Sequence, residues 1–132
     1  ELDYLLVDLP PGTGDAPLTV LQSLPLDGLV IVSSPQDLAV MVVKKAIKMA
    51  KIMNVPILGL IENMNALTCP HCGGEIELFG QSRAEQIAEA TGVQLIGSLP
   101  LDSELSRLGD AGMIENYPVD LFRTALQAID VN

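Results

Sequence analysis

Tryptophan is absent from the 132 residues, and the other aromatic rings are two tyrosines and two phenylalanines. A platform on which nucleic-acid bases could stack is therefore poorly supplied. Basic residues are scarce as well, seven against 17 acidic ones, for a formal net charge of −10. Phosphate repulsion then argues against nucleic acid as a partner, unless a local basic patch overcomes it. The one candidate patch is Lys44, Lys45, Lys48 and Lys51. At 3.6 residues per turn, Lys44, Lys48 and Lys51 form a stripe opposite Leu38, Val42, Ala46, Met49, Ala50 and Met53, which is the pattern of a solvated helix face. No apolar run approaches the ~20 residues needed to cross a bilayer, and none reads as a signal peptide. The terminal segment Phe122 to Asn132 also lacks the basic amphipathic character that binds anionic lipid. The expectation is a cytoplasmic protein with no membrane role. Two cysteines and one histidine leave no room for a disulfide framework. Missing too is any glycine-rich loop ending in Gly-Lys-Ser/Thr that would cradle phosphates.

What is present suits one domain, since 132 residues with 48% apolar content can bury a single core. Tyr4–Asp8, Leu29–Ser33, Ile57–Glu62 and Gln94–Ser98 are short, nearly continuous apolar runs bounded by Gly, Pro, Asn or Asp, the pattern of strands buried on both faces. Helical periods lie between them. Ser34, Pro35 and Asp37 mark a helix start running to about Met53, and Ser82 with Glu85 reads as a capping box for a helix that stops at Gly92. Asp102 and Asn116 are candidate caps for two further helices, the last spanning Pro118 to Ile129. The order βαβαβαβαα, without internal repeats, predicts an α/β fold: a three-layer sandwich around a mostly parallel sheet.

Two motifs carry chemistry. Asp8-Leu-Pro-Pro-Gly-Thr-Gly-Asp15 follows the first strand candidate, and an acidic residue closing a buried strand before a glycine turn is how nucleotide hydrolases place a carboxylate beside magnesium and a backbone N–H near a terminal phosphate. Asp15, ahead of Ala16-Pro17, also reads as a helix cap. The second motif is Cys69-Pro70-His71-Cys72-Gly73-Gly74. A redox pair of the thioredoxin type needs its first cysteine to open a helix, whereas here two glycines follow and Glu75-Ile76-Glu77-Leu78 alternates like a hairpin arm. A knuckle that presents two thiolates to one metal fits better, with His71 pointing away. Two ligands do not complete a four-cysteine site, and a symmetric dimer would supply the other two.

Taken in order, Asp8 to Asp15, Leu24-Pro-Leu-Asp-Gly28, Ser34-Pro-Gln36, Val55-Pro-Ile-Leu-Gly59, Glu62-Asn-Met64, Cys69-Pro-His-Cys72 and Gly97-Ser-Leu-Pro-Leu-Asp102 resemble the Mrp/ApbC family. These are iron–sulfur cluster carrier ATPases related to MinD and the nitrogenase iron protein, and the similarity runs from Asp3 to about Gly112. The resemblance implies that residues 1–132 are the C-terminal part of a single P-loop NTPase domain of MinD-like type, lacking the N-terminal phosphate-loop portion. It implies that Asp8 holds Mg2+ through water, that the Gly12 N–H senses the γ-phosphate of ATP, and that Asp15 lies near the attacking water. Asn63 matches an adenine-reading amide, with a turn residue as the plain alternative. Pro100 and Asp102 match the loop that closes over base and ribose, with Asp102 otherwise a helix cap. Cys69 and Cys72 match the pair that binds a 4Fe-4S cluster across a homodimer axis for delivery to apo iron–sulfur proteins. The parent protein is expected to hydrolyse ATP, and these residues alone are expected to bind ATP very weakly. A different class of function is a noncatalytic module dimerised by zinc between two Cys69/Cys72 pairs. The family's phosphate-loop strand is expected between Tyr4–Asp8 and Leu29–Ser33, so its absence predicts exposed strand edges and one of three outcomes: a rearranged sheet, strands swapped with another copy, or a remnant of a longer chain clipped upstream.

Overall fold

The computed structural model describes residues 2–129, in the order α1 (Asp15–Ser23), β1 (Leu29–Ser33), α2 (Asp37–Ile52), β2 (Ile57–Thr68), β3 (Glu75–Ile76), α3 (Ala84–Thr91), β4 (Leu95–Leu101), α4 (Ser103–Asp110) and α5 (Arg123–Ile129). The sheet is centred on β2, which pairs in parallel with β1 on one side and with β4 on the other. Such pairing buries a strand on both faces, which explains the near-continuous apolar runs.

Helices cover both faces. On one, Val43 and Ile47 of α2 and Ala84 and Ile87 of α3 pack with Leu60 of β2 and Val93 into a single buried cluster. On the other lies α5, whose Ala125 Cβ is 3.6 Å from where a Cβ on Gly97 of β4 would stand. Leu60 and Ile61 alternate between these faces, as strand neighbours must. Gly59 is dictated by the same packing, because a Cβ there would stand 2.5 Å from Cγ2 of the buried Ile96. The mostly parallel three-layer α/β sandwich expected from the pattern is therefore what forms.

Several elements differ from the sequence expectation. Tyr4–Asp8 forms no strand, and Leu2, Leu5 and Leu6 are exposed; an apolar run becomes a strand only where a partner edge offers hydrogen bonds. Of the apolar stripe expected on α2 only Ala50 is fully buried, and Val43 and Ile47 join it, while Leu38 and Val42 face outward. α3 begins one residue later than a Ser82 cap requires. Ser82 Oγ accepts from the Ala84 N–H at 3.3 Å, but no bond returns from Glu85, and the Arg83 N–H goes to Glu62. Gly92 does end α3, in the left-handed region at φ 70°. Asp102 caps α4, accepting from the Glu104 N–H at 2.8 Å. Asn116 caps nothing: it closes a 3-10 turn, and Pro118 leads through a second such turn (Val119–Phe122) before α5.

Candidate functional site

The strand β2 organises the site. Its residues Ile61, Glu62 and Asn63 run in register with Gly97, Ser98 and Leu99 of β4, so that Asn63 stands beside Pro100. Pairing then shifts between Asn63 and Leu67, and Met64 takes a left-handed φ of 58°. A non-glycine residue rarely adopts that conformation, and this one sits at a strand irregularity of the kind that re-aims side chains at functional sites. Asn63 Oδ1 accepts from the Met64 N–H at 2.9 Å, which secures the turn and leaves the amide's two N–H donors unused by that bond.

Beyond the kink, β2 continues to Thr68 and folds back as β3, pairing Leu67 with Ile76 and Thr68 with Glu75 antiparallel. The loop of this hairpin is Cys69–Gly74. It is closed by the Cys69 N–H donating to Gly74 O at 2.8 Å and by the Gly73 N–H donating to Cys69 O at 2.9 Å. Gly73 has φ +71°, a conformation that favours glycine. The turn wraps amides around the first sulfur: the backbone N–H of His71, then that of Cys72, and then the Cys72 side chain, hold the Cys69 thiol below its usual range. A thiol poised toward thiolate is a better metal ligand. Both cysteines are free, and Cys72 is exposed. The knuckle in a turn, with a hairpin arm after it, is thus the arrangement that forms, and no helix starts at Cys69. Among the described residues no group of three or more His, Cys, Asp or Glu comes together. The soft two-sulfur donor set fits half of a four-thiolate site.

Asp102 lies at the end of β4. Its Oδ1 accepts from the Glu104 N–H and its Oδ2 from Tyr117 Oη at 2.7 Å, so both oxygens are already engaged within the chain. The Tyr117 hydroxyl, ahead of the Glu104 amide, keeps the carboxyl below its ordinary value, and the same bond raises the tyrosine. The Asn63–Leu99 pairing sets Asn63 beside Pro100 at the C-terminal edge of the sheet, where open α/β folds bind ligands, and Asp102 follows two residues later. Asp8 and Gly12 lie on the leading segment, which pairs with no strand, and Asp15 opens α1. Asp8 is exposed, and the Thr19 hydroxyl donates to the Asp15 carbonyl at 2.7 Å. Gly12 has φ +100° with open space around it, so its requirement is conformational rather than steric. Sequence reasoning missed Glu62, a carboxylate only 1% exposed within the sheet. Its one outward sign was an acidic residue inside an apolar strand.

A family model described as ParA, NUBPL iron-transfer P-loop NTPase, matches residues 1–130. The chain belongs to this family. Among its relatives, the iron-sulfur cluster carrier protein of Methanocaldococcus jannaschii is 47% identical over 114 residues, 86% of this chain and 39% of the relative. The iron-sulfur cluster transfer protein NUBPL of Dictyostelium discoideum is 46% identical over 112 residues, 85% of this chain and 35% of the relative. The chain thus spans under half the length of the curated relatives it matches. A solved structure, the nucleotide-binding protein of Archaeoglobus fulgidus in complex with ADP, with Co found, superposes with a TM-score of 0.82 at 50% identity. That match covers 92% of this chain and 50% of the other. As in other P-loop NTPases of the family, the fold here is a mixed α/β sheet flanked by helices. No described helix is long and apolar enough to cross a membrane.

Proposed function

We propose that this chain is the base-reading and cluster-holding part of an ATP-dependent iron–sulfur cluster carrier, which receives a cluster and passes it to apoproteins. The observation that carries this reading is the continuity of β2: one strand bears Asn63 beside the end of β4 and, six residues on, the cysteine hairpin. At about 3.3 Å per residue, at most ~20 Å of backbone separates the two. The relatives' names, which speak of cluster carriage and transfer, and the ADP of the solved neighbour support the same reading.

In this proposal Asn63 reads the adenine edge through its free amide donors, and Pro100 with the Asp102 turn closes over base and ribose. Asp8 holds Mg2+ through water, the Gly12 N–H meets the γ-phosphate, and Asp15 lies beside the attacking water. These three act when the leading segment is docked against the phosphate loop of the parent protein. Cys69 and Cys72 supply two thiolates, and the same pair from a second copy completes a 4Fe-4S site, in keeping with the two sulfurs each hairpin presents. A bridging, solvent-facing cluster is labile enough to hand over. ATP-driven movement of the Gly12 loop changes how the two copies meet and hence how tightly the cluster is held.

The test uses the parent protein with anaerobic reconstitution. Wild type is expected to bind four irons and four sulfides per dimer, and Cys69→Ser with Cys72→Ser to bind essentially none. Asp8→Asn is expected to keep the cluster while making transfer to an apoprotein insensitive to ATP. Zinc in place of iron and sulfide in the reconstituted protein, or an unchanged cluster content in the double serine variant, overturns the proposal.

A further inference from the structure

Glu62 is the one charged side chain that is fully buried among the described residues, at 1% exposure. Its Oε1 accepts from the Arg83 N–H at 3.2 Å, and its Oε2 is buried with no hydrogen-bond partner among the described residues. Withdrawing a carboxylate from water is expensive unless its oxygens find donors, so such a residue calls for a structural or functional reason. Position supplies one. In the sheet Glu62 stands between Ser33 of β1 and Ser98 of β4, immediately before Asn63. Its hydrogen-bond partner comes 21 residues later, at the entry to α3.

Everything between the two ends of that bond is the kink, the cysteine hairpin and an exposed return, and residues 70–83 are all exposed. The return leg is nonetheless held at its foot. Arg83 Nε pairs with Asp37 Oδ1 at 3.0 Å at the start of α2, and Phe79, Gly80 and Ser82 line a cleft of about 310 Å3 with Pro35 and Asp37. The ion pair is solvent-exposed and contributes little by itself. The half-buried Glu62 bond is therefore the firmer connection between the hairpin's return leg and the strand that carries Asn63.

We propose that Glu62 is a positioning residue that couples nucleotide binding at Asn63 to the placement of the cysteine hairpin. Displacement of the backbone at Asn63 moves the Glu62 carboxylate, which draws on the Arg83 N–H and shifts the return leg relative to β2. The unpartnered Oε2 provides a second acceptor, so the contact can be exchanged between two arrangements rather than simply broken, as a two-state element requires. This inference rests on the proposed function only for the identity of the nucleotide and the cargo.

The experiment uses the full-length parent protein in three forms, wild type, Glu62→Ala and Glu62→Gln, each loaded with cluster. Transfer to an apoprotein is measured with and without ATP, alongside ATP affinity. Where wild type shows an ATP effect of about fivefold or more, in the range of ordinary allosteric coupling, Glu62→Ala is expected to bring it to within about twofold of unity with ATP affinity retained. Glu62→Gln is expected to restore it, because the amide oxygen still accepts from Arg83. An undiminished ATP effect in Glu62→Ala, or a glutamine variant as uncoupled as the alanine one, overturns the inference. Amide exchange on cluster-free wild type gives a readout that needs no variant to fold: protection of the Arg83 N–H is expected to change with ATP. Unchanged protection there overturns the coupling role. Changed protection without ATP-dependent transfer supports the coupling and counts against the proposed function instead.

Discussion

At Asp102 one carboxylate joins three segments: it ends β4, caps α4 and receives the buried Tyr117 hydroxyl from the turn before α5. Tyr117 also meets Phe122 edge to face, with ring centroids 6.1 Å apart, so the tyrosine is anchored at both ends. The bond's pH dependence has two limbs. Because Asp102 is depressed on folding, its share of stability is complete above the ordinary carboxylate value and is lost as pH falls through the lowered one. Because Tyr117 is raised, its share is complete below the ordinary phenol value and is lost as pH rises through the raised one. Tyr117→Phe is expected to destabilise the parent protein at neutral pH and to flatten the alkaline limb of its stability curve. Urea titrations from neutral pH to above about 10, the ordinary tyrosine value, check this. A variant whose alkaline limb matches wild type would show the bond to be idle. Asp102 as a cap was legible in the sequence, but its tyrosine partner, 15 residues away, was not.

The helix α2 shows how an element can be located correctly and oriented wrongly. Its boundaries follow from Pro35 and Asp37 at one end and the Asn54-Val55-Pro56 exit at the other, and the structure agrees closely. The lysines do face solvent. The apolar residues, however, extend so far around the helix that more than one stripe could face the sheet, and Val43 and Ile47 are selected because they fit against Leu60, Ile87 and Val93. Ile47→Ala is therefore expected to cost about 2–5 kcal/mol through lost burial and a residual cavity. Val42→Ala, on the face the periodicity favoured, is expected to cost less than about 0.5 kcal/mol, as exposed positions do. Chemical denaturation of the two variants separates the assignments, and equal losses would contradict the observed packing. The hairpin is the converse case: the glycine pair after Cys72 and the alternation of Glu75 to Leu78 announced a turn and a return arm, and both form.

At the scale of the whole molecule, the described chain leaves apolar surface where a sheet would ordinarily continue. Leu6 is 89% exposed on the unpaired leading segment and Val32 of β1 is 59% exposed. Among the described residues β1 pairs only with β2, so its outer edge presents free backbone donors and acceptors. The 132 residues on their own are expected to self-associate through that edge. Sedimentation velocity is expected to show species larger than a monomer, with Val32→Lys shifting them toward the monomer. A monodisperse monomer with the wild-type sequence would mean that the leading segment covers the edge in solution.

Local chemistry alone located the cores of β1, β2 and β4, the stop of α3 at Gly92, the knuckle of Cys69 and Cys72 and the family, because these depend on short-range spacing, on turn residues and on motifs read in order, but it did not carry β2 past Glu62 to Thr68. Only the tertiary structure decided that Tyr4–Asp8 stays unpaired, which stripe of α2 is buried, that Tyr117 holds Asp102 and that Glu62 reaches Arg83. Each of these depends on which distant surface is available to meet a residue, and pairwise fit between remote segments leaves no periodic trace in the chain.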